Sequence, residues 1–483
     1  MLGTRRRNVN PNRARKTRGR GLRTNTGCPA STGAASWDQP VGVATARWFD
    51  MLAGDADFEF DPSVHSETGG KDFEDTSTTE QQFPQYHQVQ ALAMPNPRRG
   101  RPEPDFRWQA SSPLTLKIHE QAVFDYFVTH ISQWLDLFDP YRYFSSLVPK
   151  LALHNVGLLN AILSLSIRHT TTCQLDLGQL PFIQEDALYY YNESLQYLQK
   201  TLQYETYHTS DELLATTLII SAFEMLGNGS SRDWERHLQG VFWIQRAQVI
   251  HGDSGGLRGA VWWAWICQDV WAAFRDKRKV FSFWKPERIL EDLNPTELAA
   301  RSVFVLARII DFCALVESDV VADNIMSRLQ AADALSVMLD TWAGLLTPEF
   351  FPLPHSEQSA TSTFQPLWIH PPVFGLAVQI HHASRILLLL NRPNLGGINE
   401  AMQQQAALDR HSGVICGIAL MMSDFSSSIM SSQCLFIAGL CTHDQQRRKE
   451  IVRLIQDCRQ RTGWPTVPLE IELKECWEGM GTV

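Results

Sequence analysis

From Ser112 onward the chain repeats apolar residues at spacings of three and four over nearly all of its remaining length, the period of helices. Residues 119–138 place Val123, Phe124, Phe127, Ile131, Trp134, Leu135 and Phe138 on one broad face. Residues 149–167 and 184–202 repeat the pattern. Pro149 suits a first helical position, where its missing N–H is no loss. In the stretch 210–226, Thr209 and Glu212 read as a capping box and Gly227 as a C-terminal cap. Its interior is apolar nearly all round, as expected of a helix at the centre of a bundle. Further helices are predicted over 234–250, 260–274, 298–314, 323–346, 377–390, 405–422 and 447–460. No stretch alternates apolar and polar residues over a strand's length, and fragments such as 280–283 are too few for a sheet. The predicted fold class is therefore all-α, a large multi-helix domain over 114–483.

The residues before it read differently. Gly, Pro, Ser, Thr, Asn and Gln dominate, and a chain that buries little apolar surface cannot offset its ordering entropy. Residues 1–28 form a basic tail with nine Lys or Arg and no acidic residue. Residues 29–113 are expected to be a disordered, acidic linker. Ten acidic residues lie between Asp50 and Glu80 against Lys71 alone, interspersed with Met51, Leu52, Phe58, Phe60 and Phe73. That mixture resembles acidic-hydrophobic activation segments. The net charge of −9 argues against a general nucleic-acid binder, whereas the basic-then-acidic order points to nucleic acid or nuclear import. There is no signal-peptide pattern at the start, and polar breaks such as His381, His382, Arg385 and Asp424 keep apolar runs below spanning length. No membrane partner is expected, and the nine irregularly spaced cysteines read as reduced, intracellular thiols.

Two blocks carry a family resemblance. The first is Trp234-Glu235-Arg236-His237-Leu238-Gln239-Gly240, followed by Trp263, Gln268-Asp269-Val270, Ala273-Phe274 and Trp284. The second comprises residues 381–390, Cys416-Gly417-Ile418, residues 432–439, Arg447-Arg448 and Thr462-Gly463-Trp464-Pro465. With the opening stretches 124–140 and 149–169, they resemble the regulatory domain of fungal binuclear zinc-cluster transcription factors. The resemblance implies a non-catalytic domain of a nuclear regulator, acting through dimerisation, contact with transcriptional co-regulators or small-molecule sensing. Read as residues alone, Trp234, Trp263, Trp284 and Trp464 are core anchors. His237 is a hydrogen-bonded core histidine, and Gln268 with Asp269 a buried polar pair joining helices.

The same family holds two zinc ions with six thiolates at its DNA-binding end. The stretch from Arg23 to Cys28 resembles the lead-in to that cluster, but residues 29–40 contain no cysteine and the next is Cys173. One thiol cannot hold zinc, so Cys28 is a lone remnant and no cofactor is expected in this chain as written. Zinc is expected only if the missing cysteines are restored. A skipped exon, genuine loss of the cluster and coincidence at Cys28 all remain open, the first being preferred. Arg13, Arg15, Lys16, Arg18, Arg20 and Arg23 are left to contact phosphates without site selection, or to direct nuclear import. The alternative is a helical protein–protein interaction module that binds no DNA.

Enzyme motifs are set aside. Gly252-Asp253-Ser254-Gly255-Gly256 matches a serine-protease nucleophile loop, but joins two predicted helices with no β-barrels around it. Cys434, Cys441, His443 and Cys458 lack zinc-site spacing, and Cys434 reads as a buried thiol. Neither a phosphate-binding loop nor an aspartate-rich magnesium motif is present.

Overall fold

The computed structural model describes residues 40–59, 106–173, 182–226, 233–314, 325–355, 362–464 and 468–480. Among them every regular element is helical, apart from an isolated bridge between Leu353 and Trp368. Residues 40–483 form one unit.

Helix α1 (Val41–Glu59) is followed by α2 (Ile118–Tyr126), a π-helical turn (Phe127–Ile131) and α3 (Ser132–Leu135). Two short helices, α4 (Tyr143–Ser146) and α5 (Val148–Ala152), lead into α6 (Val156–Thr172), α7 (Gln184–Thr201), α8 (Asp211–Met225) and α9 (Asp233–Ala247). The second half comprises α10 (Gly256–Arg275), α11 (Pro295–Ala314), α12 (Ile325–Gly344), α13 (Pro372–Asn391), α14 (Ile398–Met421), α15 (Phe425–Leu440), α16 (Gln445–Thr462) and α17 (Leu469–Met480). Helix α6 packs on α7 and α8, and α9 lies between α8 and α1. Helices α13 and α15 organise the second half, and α10 joins the halves by packing on α8, α9 and α11.

Local chemistry explains where the elements differ from the periodicity. A single helix expected over 149–167 is two, because the Asn155 side chain accepts the Leu158 N–H at 2.9 Å and starts α6 afresh. The cap of α8 is Ser210, whose hydroxyl accepts the Leu213 N–H at 3.1 Å, in place of the expected Thr209–Glu212 box. Glu212 instead accepts a hydrogen bond from Gln109. Gly227 lies outside the described residues. Asp424 does not merely interrupt an apolar run: it caps α15 through the Ser427 N–H, as Asp444 caps α16 through the Arg447 N–H. The apolar helix α13 is, by length and composition, able to cross a membrane, contrary to the expected polar breaks. Two thirds of its apolar window (67%) is buried among its neighbours.

The expectation of a disordered segment over 29–113 needs correction where the structure describes it. Helix α1 lies there, and Ala44, Thr45 and Trp48 are buried against α9 and α7. Pro40 precedes the helix, and Val41, Ala44, Thr45 and Trp48 form a three-four pattern hidden by the polar composition around it. Trp108 is also buried and donates its indole N–H to the Thr206 hydroxyl at 3.0 Å. The folded body thus begins well before residue 114.

Candidate functional site

The halves of the molecule meet at a small apolar cavity of about 70 Å³, lined by residues of α3, α8, α10 and α15 together with Trp464. Trp134 of α3 forms one wall. It stacks on Phe425, meets the His169 ring edge-on and lies 6.0 Å from Trp464 between ring centroids. The π-helical turn preceding α3 shifts the helical phase, so that Tyr126, His130 and Trp134 share one side; Tyr126 stacks on His130 at 4.6 Å.

Behind this wall runs a buried hydrogen-bond chain. His169 has Nδ1 2.9 Å from the Tyr126 hydroxyl and Nε2 2.8 Å from the Thr462 carbonyl. A carbonyl oxygen only accepts, so Nε2 carries the proton and the tyrosine donates to Nδ1. Burial lowers the His169 pKa to about 4, keeping the ring neutral at pH 7, and raises that of Tyr126. Nearby, Asp136 accepts the Phe144 and Ser145 N–H groups and caps α4; burial outweighs those bonds and lifts its pKa to about 6. The cavity also exposes Cys267, whose pKa burial pushes up to about 12, so the thiol is a poor nucleophile.

A second buried cluster joins α9 to α10. Asp269 is fully buried and accepts hydrogen bonds from Arg278 Nη2 and the Phe281 N–H, both at 2.8 Å. Arg278 Nε lies 2.7 Å from Glu235. Gln268 accepts a hydrogen bond of 3.4 Å from Ser221 of α8. The expected polar pair therefore does tie helices together, although sequence reasoning did not identify Arg278 as its cation. Arg278 follows α10 in a loop, where periodicity carries no information. His237 is buried, as expected of a core histidine. Trp263, Trp284 and Trp464 all pack against the core, while the Trp234 side chain lies outside the described residues.

The protease-like loop does not assemble a triad. The Ser254 hydroxyl accepts the His251 backbone N–H, and His251 Nδ1 accepts the Asp253 N–H. The Asp253 carboxylate is held by Trp284 Nε1 and the Glu287 N–H, both at 3.1 Å. No hydrogen bond joins Ser254 to an imidazole among the described residues. Cys434, Cys441 and Cys458 are buried free thiols, and burial raises the pKa of each. No group of three or more His, Cys, Asp or Glu among the described residues could hold a metal ion. Arg13, Arg15, Lys16, Arg18, Arg20, Arg23 and Cys28 lie outside the described residues.

Residues 122–243, from α2 to α9, match the family described as the fungal specific transcription factor domain. The matched segment supplies the Trp134–His169 wall. The chain is also a distant homologue of transcription activator AMTR1 from Alternaria alternata. The two are 22% identical over 508 aligned positions, covering 78% of this chain and 66% of AMTR1. No solved structure matches the chain. The residues from Trp263 onward that carry the resemblance lie beyond the family match.

Proposed function

We propose that this chain is a nuclear regulator of RNA polymerase II transcription whose helical body is the regulatory part. The observation that carries the reading is the family match over 122–243, supported by the homology to a transcription activator. The buried centres fit it. Imidazole and carboxylate groups join helices, and Cys173, the thiol 3.5 Å from His169 Nε2, has its pKa raised to about 11 by burial, which makes it a poor nucleophile. As written, Cys28 alone cannot organise zinc, so contact with DNA through Arg13 to Arg23 would be salt-sensitive and without site selection. Recruitment by transcriptional co-regulators or pairing with a second copy would then place the protein at promoters. Zinc enters this reading only with the family's further cysteines.

The test is recruitment. The full chain is fused to an unrelated sequence-specific DNA-binding module and brought to a reporter promoter in a filamentous fungus. A several-fold change in transcript, with the fluorescently tagged chain in the nucleus, is the expected result. An unchanged reporter, although the fusion occupies the promoter, would overturn the proposal and favour an interaction module without a role in transcription.

A further inference from the structure

Helix α12 has the composition of an interior helix. Of its 20 residues only Arg328, Asp333 and Asp340 are charged, and apolar side chains occur on every side of it. A helix of that kind is normally covered all round. Here only Ala332, Leu339 and Trp342 are buried, and α12 packs mainly on α11 and α13. Ile325, Met326 and Val337 stand 50%, 61% and 62% exposed. Helix α16, also at the surface, turns Gln446, Lys449, Arg453 and Gln460 outward instead.

The apolar face continues beyond α12. Arg328 donates to the Asn391 carbonyl at 3.1 Å, which brings the start of α12 to the end of α13. Gln404 donates to the Leu389 carbonyl at 2.6 Å and brings the first turns of α14 to the same point. Leu390, Leu395, Ile398 and Met402 gather there, 43–80% exposed. The seven residues together present on the order of 800 Å², above the roughly 300–600 Å² of the largest apolar patch on a typical monomer. Each partner in a stable protein interface contributes about that much, ~800 Å².

The charges beside the face are cancelled in place. Arg392 pairs with Asp333 at 2.9 Å, and Arg385 with Asp340. The others at this end among the described residues, Arg328 and Glu400, are one of each sign, and Arg328 is turned over the Phe312 ring. No net charge is left to attract nucleic acid, an anionic membrane or an acidic peptide. For two identical copies the same neutrality removes the like-charge repulsion that otherwise opposes self-association.

We infer that this face joins two copies of the chain about a twofold axis, α12 lying antiparallel on its own counterpart with Val337 near the axis. Leu390, Leu395, Ile398 and Met402 extend the contact at either end. Such pairing would supply the second copy invoked for the regulatory role, but it rests on the face alone and is read on the purified protein.

The full chain is followed by sedimentation velocity from about 0.1 to 50 µM, where a dimer with Kd at or below about 10 µM is expected. Val337→Glu sets like charges against each other across the axis and should weaken the dimer at least about tenfold. Its helical content and melting temperature should stay unchanged, because Val337 is exposed. Ile118→Glu, at an 86% exposed position on α2, a helix that packs on α6, should leave the Kd as it is. Should Val337→Glu fail to fold, Met402→Glu at the start of α14 decides. Three results would overturn the inference. They are a chain that is monomeric at about 50 µM, a dimer equally tight in a folded variant at Val337 or Met402, and equal weakening by Ile118→Glu. In the first case, slow amide exchange along α12 in the monomer would show that another part of the same chain covers the face.

Discussion

His169 Nε2 lies 2.8 Å from the carbonyl oxygen of Thr462, 293 positions further along the chain. One hydrogen bond therefore pins α6, inside the family-matching segment, to the end of α16. The ring must be neutral to accept from Tyr126, and burial holds its pKa at about 4 against an ordinary 6.5. A depressed histidine pKa gives stability that is present above the unfolded value and lost as pH falls through the folded one. Denaturant unfolding should thus show stability falling between pH 6.5 and 4, with roughly 3 kcal/mol of that fall from this residue. His169→Gln should flatten the slope by about one proton while lowering stability at pH 7. Identical slopes in both proteins would place the pH response elsewhere.

Gly463 ends α16 in the left-handed region at φ +65°, donating its N–H to the Arg459 carbonyl. A Cβ there would lie 1.8 Å from Cys173 Sγ and 3.1 Å from His169 Nε2. Gly463→Ala therefore combines backbone strain with a clash against Cys173 and a tight approach to the same histidine. The expected loss is about 2 kcal/mol or more, read as a lower denaturation midpoint. It should be less than additive with His169→Gln, because both break the same contact.

Helix α1 docks through a close fit: a Cβ on Gly240 of α9 would come within 2.4 Å of the Trp48 indole and 2.8 Å of Met51. Gly240→Ala should lift α1, and Trp48→Ala should do the same by removing its anchor. Hydrogen exchange would then quicken across 41–51 while the slowest amides of α8 and α13 keep their rates. A uniform loss of protection would instead show that α1 unfolds only with the whole body.

Removing Arg278 leaves Asp269 buried without its cation. Arg278→Ala is expected to cost about 3–5 kcal/mol near pH 8, the usual penalty for an orphaned buried charge. The Asp269 pKa is already raised to about 6 by burial, and a raised carboxyl pKa means that stability is lost as pH rises through it. The penalty should therefore shrink by pH 5, where the carboxyl is protonated. Asp269→Asn in the Arg278→Ala background should recover much of the loss at pH 8. A penalty independent of pH would assign the effect to lost packing of Arg278 over Phe281 instead.

The helical class was legible because its signal is repeated along the chain: burying one stripe per helix leaves a three-four period wherever the body packs. Boundaries set by a single side chain were less visible. Asn155 restarts a helix within an unbroken apolar pattern, and Ser210 takes the cap that Thr209 was expected to hold. Helix α1 was missed because its few anchoring residues are diluted by polar neighbours, so composition masked a pattern that tertiary contact rewards. Of the buried centres, Gln268 and Asp269 were legible as polar residues between apolar turns. Their partner Arg278, and the pairing of His169 with Thr462, depend on distances that no local pattern encodes.

The enclosure of α13 has a consequence for synthesis. Its partners α11 and α12 precede it but α14 and α15 follow it, so a nascent polypeptide that has just released Asn391 carries a 20-residue apolar helix that is only partly covered. During that interval the ribosome-bound chain resembles a membrane insertion substrate, and the arrival of α14 and the serine-rich α15 completes the helix's withdrawal from water. A stop codon or cleavage between the two would leave a fragment bound for aggregation or mistargeting rather than a smaller working protein.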